Sequence, residues 1–527
     1  MFSRVKAFMP LLFFLLLVFQ TLHPAVCFAG DARYGGTLVV ADGTAPPHLD
    51  SDKSTEWKIT EIDNLIYEGL FEFNAKLQAV PQLAAGYKIV DGGRTYLIDL
   101  RKGVLFQDGR EMTSADVAAS FDRWLKNNGA GEEIKPYLRS VKILGPYKLA
   151  ITFKQPFAPF IDMLASEVSG QKFYVREKKI VDKFGDRIIT EQVGTGPYRL
   201  VEYVPDQYVK LKRFKRYVPN PAAASLFAGR RAAYIDQIVF RFIPDEEVRE
   251  AGVQTGQFQY ADDISPDKYE LFKANPDVKP VIAPFDRMGM IIFNCGKPPF
   301  NNILARKAVL AAFDASEYGR AAIGNQRFWR LNGCLFPRGS IWYDKTAGAG
   351  VYNRPNLAEA RKLLKESGYN GTPIVILNAR GKAIESLGAL DLKSQLEKVG
   401  FKVDVQLYDV ATMLQKRARG EWNITVDSWV QFNPDPQVFG AWIGTNKWIG
   451  NWNDKDSRHM DAIFAKMLVE TNYAKRYQLV KEWYRYFWAT VPMIKTVDYS
   501  RLDLKYKTLK GYPDFCKQIF WNAWLEK

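Results

Sequence analysis

Histidine and cysteine are scarce in this sequence: 527 residues hold three His and four Cys. One His falls within the first 30 residues, so imidazole chemistry rests on His48 or His459, too little for a metal cluster. The cysteines form no CxxC or other metal pattern, and four across this length cannot scaffold a fold. Neither GxSxG nor HExxH occurs, which removes two familiar hydrolase signatures. There is no run of five Lys or Arg, no fixed-period repeat and no low-complexity linker. What remains is a globular composition, 47% hydrophobic and 25% charged, with material for more than one packed core.

A single long apolar run is present, at residues 11–19. Arg4 and Lys6 precede it, Pro24 breaks it, and Cys27 and Ala29 place small residues three and one positions before a cut. Residues 1–29 therefore read as a signal peptide cleaved on export, leaving a soluble exported protein. The run is shorter than the roughly 20 residues a membrane-spanning helix needs. A lipid anchor at Cys27 is the alternative, disfavoured by the branched Val26 before it. Beyond the leader, 71 basic residues face 58 acidic ones, a net +13. These charges are scattered, as on a well-solvated basic surface, with attraction for anionic ligands or the envelope as a second reading; no nucleic-acid partner is expected. Cys295, Cys334 and Cys516 remain after export, and Cys295 with Cys334 is the preferred pair because both fall in one domain by pattern.

Strands and helices are mixed throughout. Residues 36–40, 96–100, 147–153 and 208–214 read as strands, and Ile62, Leu65, Ile66 and Leu70 share one helical face. Thr113 opens a helix with Asp116 in its first turn, where the helix dipole favours an acid. After about residue 273 the alternation is cleaner. Strands at 288–293, 374–377, 403–407 and 424–429, with helices at 304–313, 357–367 and 387–399, predict a second α/β domain.

Five segments then stand out in order: DGGRTYLIDLRKGVLFQDGREMTSADVAAS at 91–120, GTGPY at 194–198, FNCGKPPFNNILARKAVLAAFD at 293–314, YNRPNLAEARKLLKESGY at 352–369 and WVQFNPDPQVF at 429–439. Each has a local reading. Asp108-Gly109 is a reversing turn, the glycines of GTGPY enter a strand rather than a phosphate-binding helix, and Asp435 between two prolines forms a turn. Taken together they resemble the family 5 extracellular solute-binding proteins of ABC importers, the dipeptide, oligopeptide and nickel binders. Gln107 departs from the family, where many members carry His.

The resemblance implies a two-lobed periplasmic binding protein fold, α/β, of type II and the large cluster C type, with an inserted α+β subdomain. Lobe I would comprise 30–62, 195–272 and 495–527, the insert 63–194, and lobe II 273–494. The protein would act as a monomer without a cofactor, capture a small molecule or peptide between the lobes and deliver it to permease subunits in the inner membrane. In peptide binders an Arg of lobe II grips the peptide carboxylate, and Arg380 stands about there. An Asp three residues after the motif Trp pairs with the ammonium; here Phe432 follows Trp429, so ordinary peptide binding is not expected. On a strand, Asp427 shares a face with Trp429 and offers a substitute acid. Trp57 is the aromatic expected from lobe I, and backbone groups at Thr55 to Trp57 and Ser428, Trp429 and Val430 are placed to bond an extended ligand. The ligand classes left open are atypical or modified peptides, opine-like or other carboxylates, and aromatic or sugar-like molecules. The alternatives are a nickel-type metal-chelate binder and a secreted hydrolase using acid pairs such as Asp262-Asp263.

Overall fold

A computed structural model describes residues 33–526 apart from 284–286, 381, 431–434, 437–448, 451 and 516. The expected leader lies outside the described residues, as does Phe432.

Three large sheets, beside two two-stranded ones, organise the described chain. The first has seven strands, with Thr37–Asp42 near its middle, parallel to both Gln237–Phe242 and Tyr260–Ile264. Tyr208–Arg213 and Tyr198–Val204 extend one side; Leu502–Tyr506 and Val278–Ile282 extend the other. The second sheet has six strands, in the order Trp329–Arg330, Met493–Tyr499, Arg287–Phe293, Ile424–Val430, Ile374–Ala379 and Val403–Tyr408. Its central strands are buried along nearly their whole length; Arg287–Phe293 shows this as an apolar run, whereas Met493–Tyr499 buries Lys495, Thr496 and Asp498 among its apolar residues. A four-stranded antiparallel sheet, Ala84–Val90, Thr95–Leu100, Lys148–Phe153 and Leu138–Gly145, packs with helix Ser114–Asn127 as an inserted α+β subdomain. One apolar cluster is built on the second sheet around Met290, Ile292 and Phe293. Another joins Ile98 and Phe121 of the insert to Val40 and Phe240 of the first sheet.

The motifs act as local clamps. Asp116 accepts from the Thr113 amide at 2.9 Å and closes the helix start predicted for it. Gly109, at φ +98, makes the turn before that helix. A Cβ on Gly194 would stand 2.0 Å from the Ile66 carbonyl oxygen, so only glycine allows this approach. Gln107 fastens the same contact: its amide donates to Ile66 O at 3.0 Å and Tyr198 O at 2.6 Å, and its oxygen accepts from Gly194 N at 3.1 Å. Asp435, read as a turn residue, is buried with both carboxylate oxygens taken by Arg476.

The chain passes from the first sheet to the second between Ile282 and Arg287 and returns between Tyr499 and Leu502. Both passages fall beyond the expected divisions at 272 and 494. Lys279 and Pro280 hide the apolar pattern of the strand before the first passage, and Met493–Tyr499 belongs to the second sheet to its end. The expected Cys295–Cys334 disulfide is corrected: both are free, buried thiols. Membership in one half of the chain did not bring the sulfurs together; Cys295 faces Pro492 O at 3.6 Å and Cys334 the Tyr484 hydroxyl at 3.2 Å.

Candidate ligand-binding site

A cavity of about 550 Å³ opens between the two sheets, beside the Ile282–Leu502 and Arg287–Tyr499 pairs that end them. Thr55, Glu56, Trp57, Asp263 and Lys517 line it from the first sheet's side; Arg287, Lys382, Glu385 and Ser428 line it from the second, with Tyr499 and Arg501 on the returning passage. A larger cavity of about 720 Å³ is lined only by residues between Asn294 and Gly450, all on the second half, so no closure of one half on the other would enclose it. Of these two cavities, the first has the two-sided lining a clamp requires.

Trp57 opens the helix Trp57–Ile66 rather than lying in a loop, and its indole is half-buried. Cations surround the ring: Lys58 Nζ lies 4.1 Å, Arg501 Cζ 4.8 Å and Arg287 Cζ 5.9 Å from its centroid. Lys58 is fully buried and bonds Asp42 at 2.6 Å, Glu61 at 3.3 Å and Asp262. Burial pushes its ammonium toward losing the proton, but Asp262, Asp42 and Glu61 together hold its pKa well above the ordinary lysine value. Burial raises Asp42 to about 7, against the pull of Lys58 and with the push of Asp262 and Glu61. The network thus ties the helix bearing Trp57 to two strands of the first sheet.

The remaining charges are held by different means. Arg501 spends two nitrogens on Asp503, at 2.7 and 2.9 Å. Lys382 stands 3.7 Å from Asp427, and Glu385 accepts from Ser428 Oγ at 2.5 Å. Asp263 sits at φ +52 with its amide on Asp503. Burial raises its pKa, as does Asp262, while Arg287 and Arg501 oppose the shift.

Of the residues singled out in the sequence, Thr55, Trp57 and Ser428 come together in this lining. Arg380 does not join them; its side chain is exposed, 3.4 Å from Leu407 O. Strand alternation separates the 427–429 group. Ser428 faces the cavity, Trp429 is buried in the second core, and Asp427, raised in pKa by burial against the pull of Lys382, lies outside the lining that Lys382 itself joins. Val430 ends the strand opposite Arg287 in register. Sequence reasoning missed Arg287, Lys382, Glu385, Tyr499, Arg501 and Lys517. No motif marks them, and only the two passages bring them to one place. His48 and His459 take no part: His48 Nδ1 accepts from Asp50 N at 3.2 Å, and the His459 ring packs tilted at 45° against Tyr486. Among the described residues no group of three or more His, Cys, Asp or Glu is placed to hold a metal ion.

Residues 78–451 match the family described as bacterial extracellular solute-binding proteins, family 5 Middle. Over 476 residues, 87% of each chain, the sequence is 25% identical to a probable peptide ABC transporter periplasmic-binding protein of Sinorhizobium fredii. Over 495 residues, 90% of this chain and 91% of the relative, it is 26% identical to the glutathione-binding protein GsiB of Salmonella choleraesuis. Two solved structures share the fold. DppA from Helicobacter pylori, an ABC transporter-associated periplasmic binding protein in complex with the peptide STSA, aligns with a TM-score of 0.80 at 21% identity, covering 94% of this chain and 99% of that one. AgaA from A. tumefacien R10, in complex with agropinic acid, aligns with a TM-score of 0.79 at 20% identity, covering 93% and 99%.

Proposed function

The chain belongs to the bacterial extracellular solute-binding proteins of family 5, and on that premise we propose that it captures a small carboxylate-bearing solute, such as a modified or atypical peptide, between its lobes. The chain is then the solute-binding component of an ABC importer. In this reading it is exported through cleavage of the leader, works in the periplasm and carries out no turnover of its own. One observation supports the ligand class: Arg287, Lys382, Arg501 and Lys517 converge from four separate segments on one cavity beside the face of Trp57. A solute touching both halves gains contacts only when they close, and that difference in affinity drives the closure. The relatives named for glutathione and the neighbour holding agropinic acid are compatible with such a ligand.

Mass spectrometry of the protein as isolated, followed by acid release of what it carries, tests this reading. The expected product is one small acidic molecule per chain, which raises the melting temperature on being added back. A purely cationic or uncharged molecule in that role contradicts it.

A further inference from the structure

Lys517 differs from the other cations of the cavity. It is only 5% exposed, yet it lines the cavity and has no hydrogen-bond or ion-pair partner among the described residues. The lining acids Glu56, Asp263 and Glu385 all lie beyond ion-pair distance of it. Lys382 and Arg501, in contrast, each have a carboxylate. The residue is otherwise buried, so its ammonium meets solvent only at the cavity, where an anion of the solute is the counter-charge the protein itself does not supply.

Its backbone is fixed rather than loose. The neighbouring Gln518 donates its amide N–H to Glu61 at 3.2 Å and its side-chain amide to Asp42 at 2.6 Å, the two acids that also hold Lys58. Tyr512 donates its hydroxyl to the Lys517 carbonyl at 3.3 Å. The buried network that positions Trp57 therefore also positions Lys517, so a flat apolar face and a fixed positive charge stand on one rigid frame. We infer that Lys517, in the C-terminal segment, is the anchor for an anionic group of the solute, with Trp57 packing the portion of the solute next to that group. The inference rests on the acidic-solute reading above and deepens it: the solute needs an anion at one end, adjoining a flat or apolar part.

Wild type, Lys517→Met and Lys517→Arg are melted in buffer alone and with millimolar acetyl-alanyl-alanine, its C-terminal amide, or succinate. The inference predicts that the two acids, and not the amide, raise the melting temperature of wild type and Lys517→Arg by several degrees. Lys517→Met should be unmoved by either acid yet melt in buffer close to the wild-type temperature, because its ammonium has no partner among the described residues to lose. Acids that stabilise Lys517→Met as much as wild type overturn the anchor while leaving the acidic-solute reading in place. So does a Lys517→Met protein that melts well below wild type in buffer, since the lysine would then be structural. Acids that stabilise none of the three proteins overturn the acidic-solute reading, and this inference with it.

Discussion

Replacing Lys58 by methionine is expected to destabilise the protein by about 3–5 kcal/mol, the usual cost of removing one partner from a buried ionic group. The lysine lies at the centre of three carboxylates, Asp42, Glu61 and Asp262, drawn from a strand, its own helix and a second strand. Methionine fills most of the volume, so the loss is electrostatic rather than a cavity effect. It should carry a pH signature. In the folded parent, Asp42 titrates at about 7 against an ordinary 3.8, so the charge on Asp42 costs stability as pH rises through that interval and costs nothing below it. Asp262, held below its ordinary value, gains from Lys58 in the opposite sense: burial opposes its ionisation, but Lys58 and then Arg501 overcome that. Without the lysine both carboxylates bind protons more tightly in the folded state. The gap between variant and parent should therefore widen from pH 5 to pH 8. Urea melts at the two pH values check this; equal gaps would mean that Lys58 acts by packing alone.

The second large effect is on binding. Trp57→Ala should weaken the solute by about 100-fold, or roughly 3 kcal/mol, as expected for an aromatic anchor at the centre of a closed site. Stability should change little by comparison, because the indole is half-buried and the Lys58 network beneath it stays intact. Calorimetry with the solute released from the native protein separates the two quantities. An affinity within threefold of the parent would remove Trp57 from the site.

The elements were legible where one physical pattern determines them. The Thr113 and Asp116 start of helix Ser114–Asn127 follows from capping chemistry, and the buried strand Arg287–Phe293 of the second sheet follows from its apolar run. Trp57, Thr55 and Ser428, singled out through the family resemblance, line one cavity. Arg380 was expected at the cavity, but Lys382, two residues on, lines it instead. Such an offset arises where a loop of unknown length precedes a helix, here Ala383–Glu397. Lys58 carries no signal of its role in the sequence, because nothing local shows that acids from positions 42 and 262 will surround it. Arg287, Arg501 and Lys517 looked like part of a scattered basic surface for the same reason. Each is separated from its neighbours in the cavity by long stretches of chain, so only the topology of the two passages assembles them. Asp435 was legible as a turn, while its pairing with Arg476 depends on a helix that follows far along the chain.

On the proposed function the two lobes close over one solute. Small-angle X-ray scattering of the stripped protein, before and after adding back the solute it was isolated with, tests this most directly. A smaller radius of gyration in the saturated protein is the predicted result, and an unchanged profile at full occupancy would contradict it.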